Sequence, residues 1–144
     1  LFLALIIGQF TIINEVGIFG SVILVGLLVA IYSITFLLHP VNYRVETNEI
    51  IIHRPLNDIR INKDNIMSVQ ILEEGVLRWS VRTFGVGGLF GYFGKFANSK
   101  LGNMTWYATR RNNAVLVQTT DKKIIITPNE PEKFVQALED KNTH

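Results

Sequence analysis

The segment from Gly17 to Leu38 contains no charged side chain in 22 residues. Its polar side chains are Ser21, Tyr32, Ser33 and Thr35. As an α-helix, a segment of this length extends about 33 Å, which is enough to cross a hydrocarbon core of about 30 Å. A core helix of a soluble protein would carry charge on one face within this length. The segment therefore predicts a membrane-spanning helix.

Charged residues divide the chain into two unlike parts. Residues 1–39 contain one acidic residue, Glu15, whereas all 14 Lys and Arg and the other 11 acidic residues lie from Arg44 onward. We therefore predict an apolar anchor at 1–39 and a domain at 40–144. The domain's net charge of +3 is too small to indicate nucleic-acid binding, but it suits a position near an anionic leaflet. Because the chain has no cysteine, disulfides and thiolate chemistry are excluded.

The apolar residues 1–13 precede the span and are too short to cross a membrane alone. Because Leu1 already lies inside this apolar run, we expect the true N-terminus to be missing and the run to be the end of a first span. Asn14, Glu15 and Gly17 would then form the turn of a transmembrane helical hairpin. That turn has no Lys or Arg, whereas basic residues follow the second span. The positive-inside rule therefore predicts that the C-terminal domain faces the cytoplasm.

From Val41 onward, apolar residues alternate with polar ones, which is typical of β-strands. Seven short strands are predicted in 41–46, 49–54, 59–61, 66–72, 104–109, 114–119 and 123–127. Strands this short, with turns this frequent, indicate a small antiparallel barrel or sandwich. A C-terminal helix follows, with Asn129 as its N-cap and with Phe134, Val135 and Leu138 on one apolar face. We expect this helix to close one opening of the barrel.

The segment 83–102 combines six glycines with five aromatic residues. Its spacing does not fit a phosphate-binding loop, because Leu89 and Phe96 occupy positions that need Gly and a hydroxyl residue. One interpretation is a long loop whose aromatics fill a satellite core, which the usual burial of aromatic residues favours. The other interpretation is a membrane or partner surface. That candidate surface comprises Arg78, Arg82, Phe84, Phe90, Tyr92, Lys95 and Lys100.

Several motifs resemble the bacterial pleckstrin-homology-like (PH-like) domains. They are the block Thr83–Gly94, the stretch Thr105–Arg110, and Ile126-Thr127-Pro128 followed by Glu132 and Phe134. The resemblance covers 41–140 and is greatest for membrane-anchored members with two spans before the domain. It implies a seven-stranded, strongly bent sheet capped by a C-terminal helix, and no particular activity. Eukaryotic members that bind phosphoinositides have basic residues between the first two strands; here Thr47 and Asn48 occupy that turn, so such binding is not expected.

The sequence therefore predicts a mainly β protein with membrane helices: a transmembrane hairpin followed by a PH-like domain. The resemblance implies a bacterial protein, and we expect it to be a protein-interaction or scaffolding module at the cytoplasmic face of the bacterial inner membrane, without catalytic residues, cofactor or metal. Its partners would be the bilayer and either another protein or a second copy of the chain. The alternative is a small-ligand-binding or enzymatic accessory domain with a pocket under 83–102.

Overall fold

A computed structural model of the chain describes the backbone of residues 1–141 and the side chains of residues 1–8 and 17–140. The structure divides into two units, Leu1–Ile34 and Thr35–His144. The first unit is helical. The second contains the end of the same helix, all the strands and the C-terminal helix.

Helix α1 extends from Phe2 to Leu38, but its backbone departs from helical geometry at Gly17, with φ 79° and ψ 174°. Glycine tolerates this positive φ because it has no Cβ. Among the residues described, one helix is long and apolar enough to cross a membrane, Gly17–Leu38. The expected two-span hairpin is therefore not confirmed. The turn predicted at Asn14 and Glu15 lies outside the residues with described side chains.

Strands and a final helix make up the rest of the described chain. They are β1 Asn42–Val45, β2 Glu49–His53, β3 Ile59–Asn62, a short 3-10 helix Lys63–Asn65, β4 Ile66–Ile71, β5 Val81–Gly87, β6 Tyr92–Asn98, β7 Gly102–Ala108, β8 Val115–Thr119, β9 Lys123–Ile126 and α2 Pro131–Lys141. One sheet has the order β1-β2-β3, and the other has the order β4-β8-β9-β7-β6-β5. Neighbouring strands are antiparallel except β7 and β9, which pair in parallel.

The mainly β architecture with a C-terminal helix is confirmed, and each of the seven predicted strands has its counterpart. The prediction of a long loop at 83–102 is wrong, because most of this segment forms β5 and β6. Glycine has low strand propensity, so its density there concealed the strands. The structure consequently has nine strands over residues 1–141, where the resemblance implied seven.

Two apolar cores lie on opposite faces of the six-stranded sheet. Val115, Val117, Ile124 and Ile126 join the first core, whereas Leu116 and Ile125 join the second. Because successive side chains of a strand point to opposite faces, β8 and β9 are buried on both sides. This double burial explains their uninterrupted apolar sequences, VLV and III.

Helix α2 contributes to the first core, as predicted. Phe134 and Leu138 are buried there, 8% and 4% exposed. The predicted N-cap is displaced by one residue, because the helix begins at Pro131 and the amide of Phe134 donates to the carbonyl of Glu130 at 3.0 Å. Glu130 therefore holds the cap position, and proline occupies the first helical position, where its missing N–H has no cost.

Candidate interaction surface around the β5–β6 hairpin

The β5–β6 hairpin depends on a close backbone approach between Gly85 and Gly94. These residues are directly opposite each other in the ladder and have φ values of 114° and 118°. A Cβ at Gly94 would lie 2.3 Å from the carbonyl oxygen of Phe84, and one at Gly85 would lie 2.4 Å from that of Phe93. Any side chain at either position would therefore push the strands apart.

An aromatic cluster packs on one face of the hairpin. Trp106 lies opposite Gly94 in the ladder. Its indole stacks on Phe96 with 4.2 Å between ring centroids and meets Tyr92 edge-on at 6.2 Å. The Arg111 guanidinium lies 5.0 Å from the Tyr92 ring centroid, which places a cation at the rim of this second core. This face of the hairpin is thus filled by Tyr92 and Phe96 of β6 together with Trp106 of β7.

The turn of the hairpin contacts the end of helix α1. The Phe90 ring lies 5.5 Å from that of Phe36 and 5.6 Å from that of His39. The loop after β2 contacts the same turn of the helix, since the amide of Leu56 donates to the carbonyl of Leu37 at 2.9 Å. Two loops of the domain thus pack around residues 36–39, where the apolar segment ends.

The outer edge of β5 is exposed and apolar. β5 is the last strand of its sheet, so one row of its backbone groups has no strand partner in the described chain. Val81 and Phe84 on this strand are 66% and 76% exposed, and Trp79 just before it is 79% exposed. Lys95 lies opposite Phe84 on the same face. We call Trp79, Val81, Arg82, Phe84 and Lys95 the β5 edge.

The structure separates the seven residues predicted as a membrane or partner surface. Arg78, Arg82, Phe84, Lys95 and Lys100 are exposed, whereas Phe90 and Tyr92 are half-buried. The satellite-core interpretation also holds for part of the segment, because Phe93 and Phe96 are buried. The buried aromatic residues of the segment thus lie on β6, whereas β5 forms an exposed edge.

Charge is distributed unevenly over the domain, which the sequence analysis missed. Residues 75–120 contain six Lys and Arg and no Asp or Glu, whereas 40–74 and 121–144 together contain eight basic and 11 acidic residues. The segment that forms strands β5 to β8 therefore carries all the net positive charge of the domain. Trp79 and Val81 were missed as well. The lack of Asp and Glu over the 46 residues 75–120 was the sequence signal that could have revealed this basic region.

Comparison with known families agrees with this architecture. The family model described as the bacterial PH domain matches residues 41–142. The chain belongs to this family. The match confirms the resemblance to a bacterial PH-like domain but says nothing of a subgroup with two N-terminal spans. Among curated proteins and solved structures, no match to the chain was found.

In this bacterial PH domain, the turn between β1 and β2 is acidic rather than basic. Glu46 and Glu49 flank Thr47 and Asn48, and the Arg60 guanidinium nearby donates to the Glu49 carboxylate. The Arg44 guanidinium pairs with the Glu46 carboxylate at 3.4 Å, so each of the two carboxylates has an arginine partner. The absence of phosphoinositide binding stays a prediction. Across the residues described, His, Asp and Glu side chains form no group of three that could hold a metal ion.

A groove of about 490 Å³ separates strand β1 from helix α2. Its floor is ordered by hydrogen bonds: the Tyr43 hydroxyl donates to the carbonyl of Tyr107, and the amide of Thr109 donates to Thr127 Oγ1 at 2.8 Å. Burial raises the pKa of Tyr43 above its ordinary value of 10.0, and it raises the pKa of Tyr107 in the same way. Both hydroxyls therefore stay protonated at neutral pH.

Arg110 supports two residues that line the same groove, Thr127 and Pro128. Its guanidinium donates to the carbonyl of Pro128 at 2.6 Å and to that of Thr127 at 3.2 Å. It thereby fixes the turn that leads into α2, one wall of the groove. The opposite wall is β1, an edge strand of its sheet. Such a strand directs alternate backbone N–H and C=O groups away from its partner strand.

Proposed function

We propose that this protein is a membrane-anchored bacterial PH domain that recruits or organises a protein partner at the cytoplasmic face of a bacterial membrane, without catalysing a reaction. The observation that carries the proposal is the direct connection between a charge-free helix, Gly17–Leu38, and a domain whose loops contact the last turn of that helix. A domain held in this way is confined to the bilayer surface.

The exposure and the internal hydrogen bonding of the helix Gly17–Leu38 are those expected of a membrane span. Only 11% of its most apolar stretch is buried in the structure, so it is not a core helix of this domain. The Ser21 hydroxyl donates to the carbonyl of Gly17 at 3.2 Å, so a polar group in the apolar segment finds a partner within the helix. Lipid surroundings require such internal partners.

The partner site that we propose is the groove between β1 and α2. An extended peptide segment can add to an exposed strand edge through main-chain hydrogen bonds, with side chains entering neighbouring pockets. β1 offers such an edge, and Phe134 and Ala137 give the facing wall an apolar lining. Arg44, Lys133 and Glu130 around the groove supply charges of both signs for selecting a partner.

Membrane insertion tests the first half of the proposal. The full chain, expressed in bacteria, should pellet with membranes and resist carbonate extraction. Leu28→Arg near the middle of the span should reduce insertion, since an arginine there costs about 3 kcal/mol, whereas Leu28→Ala should insert normally. A reporter active only outside the cytoplasm should stay silent when fused after His144. Soluble chain, or an active reporter, would refute the anchor or its orientation.

Partner binding tests the second half. Ala137→Arg places a long charged side chain in the groove, whereas Gln136→Arg adds the same side chain at the neighbouring exposed position of α2. A protein that crosslinks to the wild-type chain in membranes should be lost with Ala137→Arg and retained with Gln136→Arg. Equal crosslinking by both variants would exclude the groove as the partner site.

A further inference from the structure

We propose that the β5 edge docks on the anionic headgroup layer of the membrane that holds the N-terminal helix, so that the domain contacts the bilayer at a second point. The proposal rests on the proposed function, because a membrane anchor must first bring the edge within reach of lipid. It names a lipid surface, rather than a phosphoinositide pocket, as the ligand of this region.

The first argument is charge complementarity. Arg82 and Lys95 are exposed within the β5 edge and Arg78 is exposed beside it, in a segment of 46 residues that contains no Asp or Glu. Anionic lipids give the cytoplasmic leaflet a negative potential that attracts Lys and Arg at short range. The rest of the domain has a surplus of acidic residues and is repelled by the same field. Electrostatics therefore turn the β5 side of the domain toward the leaflet.

The second argument is the exposure of large apolar side chains between these cations. Trp79 and Phe84 are more than three-quarters exposed, and Val81 is two-thirds exposed. Tryptophan is favoured at the boundary between headgroups and hydrocarbon, where its ring is amphipathic. Basic residues interleaved with exposed aromatics are the composition of segments that lie in the interfacial plane.

The third argument is the short distance between the β5 edge and the end of the membrane helix. The β5–β6 turn holds Phe90 against Phe36 and His39, where the apolar segment ends. The pair Phe84–Lys95 lies three positions before the last ladder pair, Gly87–Tyr92. At about 3.3 Å per residue this is about 10 Å along the strands. The headgroup layer of one leaflet is about 5–7 Å thick, so a hairpin inclined by about 45° or more to the membrane normal places the edge within it.

A second copy of the chain is a poorer occupant of the same edge. Exposed edge strands can pair with one another, but pairing of two β5 strands would bring together two segments that both carry only positive charge. Like charges directly opposite each other destabilise strand pairs. An anionic surface attracts these basic residues, whereas the same residues of a second copy repel them.

The two tryptophans of the chain provide the measurement. Trp79 is 79% exposed, and Trp106 is fully buried. The full chain is reconstituted in vesicles of phosphatidylcholine alone or with phosphatidylglycerol, and acrylamide quenching of tryptophan fluorescence is measured. Trp79→Phe isolates the signal of Trp106 for subtraction. We expect acrylamide quenching of Trp79 to fall by at least about threefold in the anionic vesicles and to recover at high salt.

Two matched charge variants test the role of the basic residues. Changing Arg78, Arg82, Lys95 and Lys100 to Gln should restore quenching of Trp79 in anionic vesicles. Changing Arg44, Arg60, Lys122 and Lys133 to Gln alters net charge equally at exposed positions outside 75–120 and should leave Trp79 protected. Equal loss of protection in both variants would overturn the proposal, because it would show only an effect of total charge.

Other outcomes separate this proposal from the proposed function. A chain that floats with carbonate-washed vesicles, but whose Trp79 is quenched equally in both lipids, refutes the docking of the edge and leaves the anchor intact. A chain that does not float refutes the anchor and the docking with it. Protection of Trp79 in phosphatidylcholine that rises with the protein-to-lipid ratio would identify a second copy as the occupant and overturn the proposal.

Discussion

Replacement of Gly94 by alanine tests whether the glycines of the β5–β6 hairpin are required by the close approach of its strands. In the wild-type chain, the position of the missing Cβ lies 2.3 Å from the Phe84 carbonyl oxygen and 2.7 Å from the Cα of Gly85. Both atoms belong to the backbone, so no flexible side chain can move aside. We therefore expect the strands of the Gly94→Ala variant to separate at this pair.

Gly88 provides a matched control for this substitution. Its φ of 105° is close to the 118° of Gly94, but a Cβ at Gly88 would meet no atom within 4 Å. Both alanine variants incur the strain of a backbone conformation that suits glycine, about 2 kcal/mol. Gly94→Ala adds about 2 kcal/mol of overpacking, for a total of about 4 kcal/mol. The difference between the variants therefore isolates the steric contact.

Thermal unfolding of the full chain in detergent, followed by circular dichroism, measures these costs. At about 5 °C per kcal/mol for a domain of this size, the Tm should fall by about 20 °C in Gly94→Ala and by about 10 °C in Gly88→Ala. Gly85→Ala should resemble Gly94→Ala, since its Cβ would meet the Phe93 carbonyl oxygen at 2.4 Å. Equal losses for Gly88→Ala and Gly94→Ala would refute the close-approach explanation.

Two further substitutions test the closing helix and the floor of the groove. Phe134→Ala should destabilise the domain by about 3–5 kcal/mol, because its ring is 8% exposed in the first core, whereas Gln136→Ala at an exposed position of α2 should leave the urea midpoint unchanged. An unchanged midpoint for Phe134→Ala would mean that the helix is detachable. Tyr43→Phe should cost about 1 kcal/mol at neutral pH, because it removes the hydrogen bond to Tyr107. Since burial raises the pKa of Tyr43, its stabilising contribution is complete below pH 10.0 and is lost as the pH rises through the raised value. Urea unfolding between about pH 9 and about pH 11 should therefore show a steeper loss of stability for wild type than for Tyr43→Phe, and parallel curves would contradict this assignment.

The sequence by itself determined the apolar helix, seven of the strands and the buried face of α2. These features are recorded in local patterns: a charge-free segment, alternation with period two, and apolar residues at helical spacing. Phe134 and Leu138 were predictable because their neighbours on the exposed face of α2 are polar. The family also followed from local motifs, since the glycine–aromatic block and the Thr-Pro entry to α2 are each a short run of neighbouring residues.

Only the tertiary structure decided how the glycine–aromatic segment divides between core and surface. Phe84 and Phe96 are the same residue type in the same hairpin, yet Phe96 is 1% exposed and Phe84 is 76% exposed. The difference arises because Phe96 stacks on Trp106 from another strand, whereas Phe84 lies on the last strand of the sheet. The strands themselves were hidden for a similar reason. Gly85 and Gly94 have low strand propensity alone, and their use appears only where two backbones meet across the ladder.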